Sequence, residues 1–226
     1  MALFVIADLH LSLSVSKPMD IFKGWENYER RIEKNWNELV TDEDTVIIAG
    51  DISWTMKLED LCKDFLFINN LKGQKIILKG NHDYWWSTRK KMEDFLKENC
   101  FDTIKILHNN SYEVDNINIC GSRGWFYDEK GDSKVLLREV GRIKASLDSV
   151  KNKENETVLF LHYPPIYNTY ECKEITELIT SSEIKRCYYG HIHGEGAKWA
   201  VNGTKNGTEY HLAACDFTGF SPVRVD

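Results

Sequence analysis

The chain lacks a long apolar run, and this absence argues against a membrane-spanning helix. Its first apolar stretch, LFVIA, ends at Asp8, whereas a transmembrane helix needs about 20 apolar residues. The start has neither a basic segment nor a cleavage-site pattern, so we expect no signal peptide. The six cysteines are scattered, with no CxxC pair or finger-like spacing, and predict neither a disulfide framework nor a zinc finger. These absences favour a cytoplasmic protein.

Proline is scarce, and the chain shows no linker. It has 4 prolines in 226 residues, and no stretch is rich in proline or serine. Hydrophobic residues make up 42% and charged residues 28%, which is typical of a globular protein. We therefore expect one domain over residues 1–226, long enough to bury a substantial core.

The chain also lacks an excess of basic residues. Its formal net charge is −6, whereas proteins that grip a nucleic-acid backbone usually carry a basic footprint. The basic trio Arg89-Lys90-Lys91 lies on a helical pattern and reads as a solvated helix face. Nucleic acid is therefore not an expected partner, although a local basic patch stays open, and no protein partner is evident.

What the chain does contain is a set of five polar islands, which hold five of its seven histidines. The islands are Asp8-Leu9-His10, Gly50-Asp51, Gly80-Asn81-His82-Asp83, His162 and Gly190-His191-Ile192-His193. Short apolar runs such as VIIA and VLFL precede the islands, and such runs predict buried strands. Since ligands in α/β folds lie at strand ends, we expect these side chains to converge.

The residue types of the islands suit two metal ions. The candidate ligands are two Asp, one Asn and four His, and the fifth His of the islands is left over. Such a set favours borderline divalent ions more than Ca²⁺ or Mg²⁺. Seven ligands are too many for one tetrahedral ion, but fit two ions that share a carboxylate, as in two-metal phosphoryl transfer. The alternative is that each polar residue forms a turn. It would hold for any single island but does not explain five islands.

The order DxH, GD, GNHD, H and GHxH resembles the calcineurin-like metallophosphoesterase superfamily, and the stretches GNHDYW and GSRGW resemble an uncharacterised bacterial branch of it. The motifs cover residues 8–193, and their combination is specific although each one alone is weak. The resemblance implies that one metal is held by Asp8, His10 and His193, that the other is held by Asn81, His162 and His191, and that Asp51 bridges them.

The resemblance also implies that His82 faces the substrate and is not a ligand. It would stabilise the transferring phosphoryl group or protonate the leaving oxygen, with Asp83 orienting its ring. A water bridging two dications loses its proton near neutral pH, and the resulting hydroxide attacks phosphorus. General acid catalysis by an imidazole contributes roughly 10²–10⁴-fold. The alternative for His82 is a structural group behind the ligands.

The second island departs from the family pattern. Many members read GDxxDR there, with an arginine that reaches the phosphate, but this chain reads Gly50-Asp51-Ile52-Ser53-Trp54-Thr55. This departure puts the protein-phosphatase branch in doubt. Arg123, between glycines in GSRGW, is the candidate replacement, because its loop can approach a ligand closely. An ordinary surface arginine in a turn is the alternative.

Tryptophans cluster near the islands. The five concerned are Trp25, Trp54, Trp85, Trp86 and Trp125. We expect at least one to line the site, with Trp86 and Trp125 as candidate substrate contacts, because aromatic rings suit a flat or apolar leaving group. Packing beneath the loops is the alternative for each ring. His108 and His211 are expected to be a turn residue and a strand residue.

The overall pattern predicts an α/β protein. Helices are expected at Glu26–Leu39, Leu58–Leu71, from a cap at Ser87 to Asn99, at Lys134–Val150 and at Glu174–Ser181, and KWAV and TEYHLAA are expected to pair as a hairpin. Residues 11–25 and Phe126–Ser133 are loop-like. This pattern agrees with the fold that the resemblance implies, a four-layer αββα sandwich with two mixed β-sheets packed face to face and helices outside.

The sequence therefore predicts a dinuclear-metal-dependent phosphoesterase. It would hydrolyse a small phosphomonoester or phosphodiester by attack of a metal-bridging hydroxide, with Mn, Fe or Zn as the two divalent ions. One alternative is a nuclease on the same fold, which a steeply salt-dependent affinity for oligonucleotides would favour. The other is a non-catalytic metal-binding interaction scaffold, which has no need for a full ligand set or for His82.

Overall fold

A computed structural model describes residues 1–125 and 133–226 of the chain. In chain order its strands are β1 (Leu3–Ile6), β2 (Thr45–Ala49), β3 (Gln74–Leu78), β4 (Ile104–Ile106), β5 (Tyr112–Val114), β6 (Ile117–Ser122), β7 (Glu156–Leu161), β8 (Ile166–Tyr167), β9 (Tyr170–Glu171), β10 (Arg186–Tyr189), β11 (Gly203–Lys205), β12 (Thr208–Leu212) and β13 (Val223–Arg224). The α-helices are α1 (Tyr28–Leu39), α2 (Cys62–Asn70), α3 (Arg89–Glu98), α4 (Ser133–Asp148) and α5 (Lys173–Ser181), and 3₁₀ segments lie at Leu58–Asp60 and Gly194–Trp199.

The strands form two mixed sheets and a small separate pair, β8 with β9. The first sheet has the order β13-β1-β2-β3-β4, with only β13 antiparallel to its neighbour. The second has the order β11-β12-β10-β7-β6-β5, with a parallel centre and antiparallel strands at both edges. Parallel pairs need crossover connections, which the helices supply.

The two sheets pack face to face over a shared apolar core. Leu3 and Ile47 of the first sheet lie in one buried cluster with Val158 and Phe160 of the second. Alternate residues of the same strands point outward, so that these strands are buried on both faces. This explains why they are continuous apolar runs in the sequence.

Helices cover the outer face of each sheet. Helices α1, α2 and α3 pack on the first sheet through side chains such as Trp36, Phe65 and Met92. Helices α4 and α5 pack on the second through Ile143 and Ile175. The layers follow the order helix, sheet, sheet, helix, which confirms the predicted αββα sandwich.

The helix boundaries differ from the prediction by small amounts. The first helix begins at Tyr28 instead of Glu26, and the predicted helix at Leu58–Leu71 opens with a 3₁₀ turn before α2. The third helix is capped by Thr88, not Ser87, because the Thr88 side chain accepts the backbone N–H of Lys91. Caps satisfy the free N–H groups of a first turn, and either residue type can do so.

Of the predicted C-terminal hairpin, the structure has the second strand but not the predicted first strand. Strand β12 does contain TEYHL, and it pairs with β11 across a turn at Asn206 and Gly207, which both have positive φ angles. The KWAV stretch is not the partner, since Gly194–Trp199 forms a 3₁₀ segment instead. The asparagine-glycine pair sets the turn, and the turn sets the partner strand.

Two further expectations concern loops and membranes. Residues 11–25 form a loop, as expected, whereas of the predicted loop at Phe126–Ser133 residues 126–132 lie outside the described residues and Ser133 begins α4. Within residues 1–125 and 133–226, no helix is long and apolar enough to cross a membrane.

Candidate metal centre

The five islands meet at one edge of the sandwich, where the parallel strands of both sheets end. The loop after β1 is bonded to the loop after β2, since the backbone N–H of Asp8 donates to Gly50 O at 2.9 Å and that of His10 to Asp51 O at 2.9 Å. The second sheet joins them through His191, whose backbone N–H donates to the Asp8 carboxylate at 2.9 Å. The strand ends therefore hold the island side chains in a single cluster.

Glycine is required where two of these loops touch. A Cβ atom on Gly80 would lie 2.1 Å from the backbone nitrogen of Asp51, and one on Gly190 would lie 2.4 Å from an Asp8 oxygen. Neither distance is compatible with a side chain. The glycines of GNHD and GHxH thus allow the ligand loops to approach one another closely.

Four of the side chains in the cluster stand on a strained backbone. Asp8, His10, Asp51 and His191 have φ angles of 63°, 46°, 51° and 71°. The left-handed region is unfavourable for residues with a Cβ atom, by an amount of order 1–3 kcal/mol each. Such strain is concentrated at functional sites, where the surrounding structure holds the side chains in position.

The side chains fall into two groups, which we call site 1 and site 2. Site 1 consists of Asp8, His10 and His193, and site 2 of Asn81, His162 and His191. In site 1, His193 Nε2 lies 3.4 Å from Asp8 Oδ1 and 3.4 Å from His10 Nε2. In site 2, His162 Nε2 lies 2.6 Å from Asn81 Oδ1, and ligand atoms of His162, His191 and Asp51 lie within 4.8 Å of one another.

Asp51 lies between the two sites. Its Oδ2 atom is 3.8 Å from His10 Nε2 in site 1 and 3.5 Å from His162 Nε2 in site 2. Its Oδ1 atom accepts the backbone N–H of His82 at 2.8 Å, which fixes the carboxylate. One carboxylate oxygen is therefore within reach of an ion in either site.

The tautomer of His162 shows that site 2 suits a cation. His162 Nδ1 lies 3.1 Å from Ala49 O, and because a carbonyl can only accept, Nδ1 carries the proton. Burial lowers the pKa of His162 to about 3, so the ring is neutral and Nε2 presents a lone pair. That lone pair faces the Asn81 oxygen, which is also an acceptor, so the two atoms repel each other. A cation coordinated by both would remove this repulsion.

His193 is held in the same way in site 1. Its Nδ1 lies 2.8 Å from Asp216 Oδ1, and the other Asp216 oxygen accepts the backbone N–H of Gly194 at 2.8 Å. Burial lowers the pKa of His193, but Asp8 and Asp216 outweigh it and raise that pKa to about 10. A protonated His193 thus provides a positive charge that a bound ion would replace.

The remaining electrostatics also fit divalent ions. Burial, with Asp8 and Asp83 nearby, raises the pKa of the Asp51 carboxyl well above its ordinary value. Burial also lowers the pKa of His191 to about 3, which keeps its ring neutral and able to bind metal. Closely spaced carboxylates with neutral imidazoles, withdrawn from water, are stabilised by dications.

Comparison with known proteins agrees with this centre. Residues 1–195 match the family model of the calcineurin-like phosphoesterases. The chain belongs to this family. The match covers every island, from Asp8 to His193, and so confirms the family that the order of the motifs predicts.

Three solved structures share the calcineurin-like fold over nearly the whole chain. A protein of unknown function from Aquifex aeolicus is 20% identical with a TM-score of 0.51, over 99% of this chain and 95% of that one. The phosphopantetheinyl hydrolase of Mycobacterium tuberculosis is 14% identical with a TM-score of 0.58, over 99% and 95%. A Thermus thermophilus protein is 10% identical with a TM-score of 0.57, over 99% and 97%. These likenesses establish the fold, and no curated protein sequence matches the chain.

In this calcineurin-like phosphoesterase Asp83 joins two of the loops that carry the candidate ligands. Its carboxylate is fully buried and accepts the backbone N–H groups of Gly80 at 2.8 Å and Ile52 at 2.9 Å, and the indole N–H of Trp85 at 3.1 Å. It therefore ties the GNHD loop to the GD loop. These buried donors occupy the Asp83 carboxylate, and its orientation of the His82 ring stays a prediction.

His82 stands at the edge of the centre, where its ring is half-buried. Its Nδ1 atom lies 3.4 Å from the Tyr84 hydroxyl, and its ring lies 5.8 Å from that of His10. The backbone N–H of His82 anchors the loop to Asp51. The ring is thus placed beside the candidate ligands while remaining open to a bound molecule.

An aromatic cleft of about 450 Å³ opens in front of site 1. Its lining includes His10, His82 and His193 of the centre, with Met19, Phe22, Lys23, Trp25 and Trp54. Trp54 stacks on His10 at a centroid distance of 4.9 Å and lies 4.5 Å from His82. The expectation that at least one tryptophan lines the site agrees with Trp25 and Trp54.

The two tryptophans singled out as substrate contacts lie elsewhere. Trp125 is only 7% exposed and packs in the core beneath the second sheet, so its expected contact with substrate is not supported. The structure favours the packing alternative, because a buried indole removes a large apolar area from water. Trp86 is half-buried and, with Arg123, lines a second cavity next to the centre.

Asp216 is the residue of the described centre that was missed from the sequence. Asp216 lies 23 residues after His193 in the sequence, outside every island, and its contact with His193 in the structure identifies it. Trp54 was named among the tryptophans expected near the site, but its stacking on His10 depends on the loop geometry. His108 lies in a turn as expected, its backbone N–H donating to Asn110 Oδ1 at 2.6 Å, and His211 lies on β12, where it stacks on Tyr188.

Proposed function

We propose that this protein hydrolyses a small phosphomonoester or phosphodiester with two divalent metal ions. The observation that carries the proposal is the position of Asp51 Oδ2, within 3.8 Å of His10 Nε2 and 3.5 Å of His162 Nε2. A carboxylate oxygen between two ligand groups is the arrangement that a pair of ions sharing a ligand requires.

Bound divalent ions supply a nucleophile at neutral pH and offset the charge that develops on the phosphoryl oxygens. The protein contributes the positioning. Ala49 O and Asp216 each hold one imidazole so that Nε2 faces the centre, in His162 and His193 respectively. Such supporting contacts fix ring orientation and increase ligand basicity.

His82 acts on the substrate side of the centre. Its half-buried ring can reach a group that is bound between the metal centre (sites 1 and 2) and the aromatic cleft. It can donate a proton or a hydrogen bond to that group. Protonation of the leaving oxygen would assist a poor leaving group most, whereas a hydrogen bond to the phosphoryl group would assist all leaving groups alike. The two roles are thus experimentally distinct.

The aromatic cleft accommodates the organic part of the ester. Phe22 and Trp25 line the cleft with their rings. The Trp54 ring, also in the lining, stacks on His10 and has the Lys17 ammonium 3.5 Å from its centroid. Rings of this kind bind flat or apolar groups, and the cleft volume is in the range of small-molecule sites. We infer a leaving group such as a nucleoside, an aryl group or a lipid moiety.

The ligand set suits Mn, Fe or Zn. Four imidazoles and an amide, with two carboxylates, favour these ions over those that require oxygen ligands alone. Their order of preference follows availability in the cell more than the ligand set.

The first test compares hydrolysis of p-nitrophenyl phosphate and bis-p-nitrophenyl phosphate by the Mn²⁺-loaded protein. We expect cleavage of at least one ester and a loss of roughly 10²–10⁴-fold in kcat for His82→Ala. His211→Ala, at a half-buried histidine on β12, is the matched control and should retain the rate. Wild-type protein that binds metal and cleaves neither these nor a panel of aryl and alkyl esters would contradict the proposal.

The role of His82 is separated by the leaving group. If His82 protonates the leaving oxygen, His82→Ala should slow an alkyl ester far more than the p-nitrophenyl ester, whose leaving group needs no proton. Equal losses for both esters would assign the ring to stabilisation of the phosphoryl group instead.

A further inference from the structure

A second cavity lies beside the centre, at the ends of β3 and β6. It measures about 290 Å³, and no described residue lines both this cavity and the aromatic cleft. Its walls include Lys79, Trp86, His108, Ser122, Arg123 and Arg142. We call it the cationic pocket.

The described lining residues of the pocket carry an excess of positive charge. Lys79, Arg123 and Arg142 all line it, and none of the described lining residues is acidic. Within residues 1–125 and 133–226, the carboxylate that contacts Arg123 and Arg142 is that of Glu139, which is 1% exposed and lies beneath the pocket wall. Glu139 accepts hydrogen bonds from Arg142 Nη1 at 2.5 Å and from Ser122 Oγ at 2.9 Å, and lies 3.6 Å from Arg123 Nη2. In the described part of the chain, Glu139 thus places one buried carboxylate beside the three cations.

The remaining walls are suited to an anion with several acceptor oxygens. Ser87, Thr88 and Asn109 add hydroxyl and amide donors. The indole N–H of Trp86 is withdrawn from solvent and donates to none of the described residues. Arginine and lysine with hydroxyl and amide donors are the usual partners of phosphate oxygens.

His108 responds to this local field. Burial lowers its pKa first, and the positive charges of Arg142, Lys79 and Arg89 lower it further. The cations that line the cavity thus lie close enough to His108 to disfavour its protonation, and a bound anion would offset their charge.

The pocket is coupled to site 2 by short backbone links. Lys79 directly precedes Gly80 and the ligand Asn81 in the chain. On the other side, Arg123 O accepts the backbone N–H of the ligand His162 at 3.2 Å and that of Tyr163 at 2.8 Å. The aromatic cleft borders site 1, whereas the cationic pocket borders site 2.

We propose that the cationic pocket binds a second phosphate group of the substrate, so that the preferred substrates carry two phosphate groups, one cleaved at the metal centre and one held by Lys79, Arg123 and Arg142. This inference rests on the proposed function, since it names the substrate class of the same centre. A free phosphate ion has the same chemistry, and the experiments below distinguish the two sources.

The kinetic experiment uses adenosine 5′-monophosphate and adenosine 3′,5′-bisphosphate as a matched pair on the Mn²⁺-loaded protein. We expect the bisphosphate to have a KM at least tenfold lower. Lys79→Gln, which leaves the Glu139 ion pairs intact, should abolish that advantage while changing the KM of the monophosphate less than threefold. A bisphosphate advantage that is absent in wild type, or unchanged in Lys79→Gln, would overturn the assignment to a substrate phosphate.

The binding experiment does not depend on hydrolysis. Inorganic pyrophosphate is titrated calorimetrically into metal-free protein that has been dialysed free of chelator. We expect binding at one site, weakened at least tenfold by Lys79→Gln and by Arg142→Gln. The double variant Lys90→Gln/Lys144→Gln removes two exposed charges elsewhere and should bind as wild type does.

The two experiments separate failure of the pocket from failure of the proposed function. Pyrophosphate binding without hydrolysis of any ester supports the pocket and contradicts the proposed function. Hydrolysis without pyrophosphate binding or a bisphosphate advantage overturns the pocket alone. Pyrophosphate binding with hydrolysis but no bisphosphate advantage assigns the pocket to a free anion and overturns the substrate class proposed here.

Discussion

At the scale of the residue, each candidate ligand depends on a partner that holds it. Asp51 is fixed by the backbone N–H of His82, His162 by Ala49 O and His193 by Asp216. The ligand types could be predicted, because they follow strand ends in the sequence. Their partners could not, because contacts such as His193 with Asp216 join loops whose meeting depends on the whole fold.

Asp216 provides a direct test at this scale. Asp216→Asn keeps the size of the side chain but removes the charge that orients His193 and places an amide near the Gly194 N–H. We expect Mn²⁺ affinity at site 1 to fall by about 10–100-fold, the usual effect of losing such a supporting partner, with site 2 unaffected. Mn²⁺ titration followed by calorimetry measures both sites.

The control for this prediction is Asp148→Asn, which neutralises an exposed carboxylate paired with Lys144. It should leave both affinities as in wild type. An Asp216→Asn protein that binds Mn²⁺ at site 1 within threefold of wild type would show that the His193 ring needs no such support.

At the scale of the element, the strands were easier to predict than the connections between them. Short apolar runs such as VIIA and VLFL predict buried strands when glycine and polar residues flank them. The sequence pattern does not decide between neighbouring helix starts. The cap is therefore at Thr88 instead of Ser87, and a 3₁₀ turn precedes α2. The partner of β12 was predicted wrongly because the turn at Asn206-Gly207, and not hydrophobicity, selects it.

Strand β3 contains a buried lysine that should matter for stability. Lys75 is fully buried, and its ammonium donates to the carbonyl groups of Leu71 at 2.6 Å, Gly73 at 2.8 Å and Asn69 at 3.3 Å. These carbonyls lie at the helix end, where acceptors lack intrahelical partners. Lys75→Met should reduce the free energy of unfolding by about 1–3 kcal/mol, because buried acceptors are left unsatisfied.

Urea unfolding of the metal-free protein measures this loss. Lys72→Met is the matched control, since the Lys72 ammonium caps one exposed carbonyl, that of Asn37, and its removal should change the free energy by less than about 0.5 kcal/mol. Equal effects of the two substitutions would show that the carbonyls at the end of α2 find other partners.

At the scale of the whole molecule, the sandwich brings two sheets together so that one edge collects ligands from both. Sites 1 and 2 each draw on both sheets, which makes the centre a point of convergence of the fold. The layered architecture could be predicted from the motifs and their resemblance. The cationic pocket could not, because Lys79, Arg123 and Arg142 come from separate elements with no common motif.

The metal-free protein should lose stability in mild acid. His162 and His191 have pKa values of about 3 in the folded chain, whereas an unfolded histidine has a pKa of about 6.5. Between these values the unfolded chain binds more protons, so stability falls as pH drops through this window. The raised pKa of His193 acts above pH 6.5, where its stabilising effect is lost as the pH rises toward 10.

His191→Gln isolates this contribution. Its free energy of unfolding should depend less steeply on pH between 6 and 4 than that of the wild type, by roughly 1 kcal/mol per pH unit. Urea unfolding at half-unit intervals measures the difference. Parallel curves for the two proteins would mean that His191 titrates normally and is not withdrawn from water.

The most direct test of the dinuclear centre is the number of ions that each chain binds. Protein equilibrated with Mn²⁺, freed of excess by gel filtration and analysed by elemental mass spectrometry, should contain two ions per chain. Asp51→Asn, which weakens a ligand within reach of both sites, should contain fewer than two. A wild-type protein that binds one ion, or none, would contradict the account of a shared carboxylate between two metals.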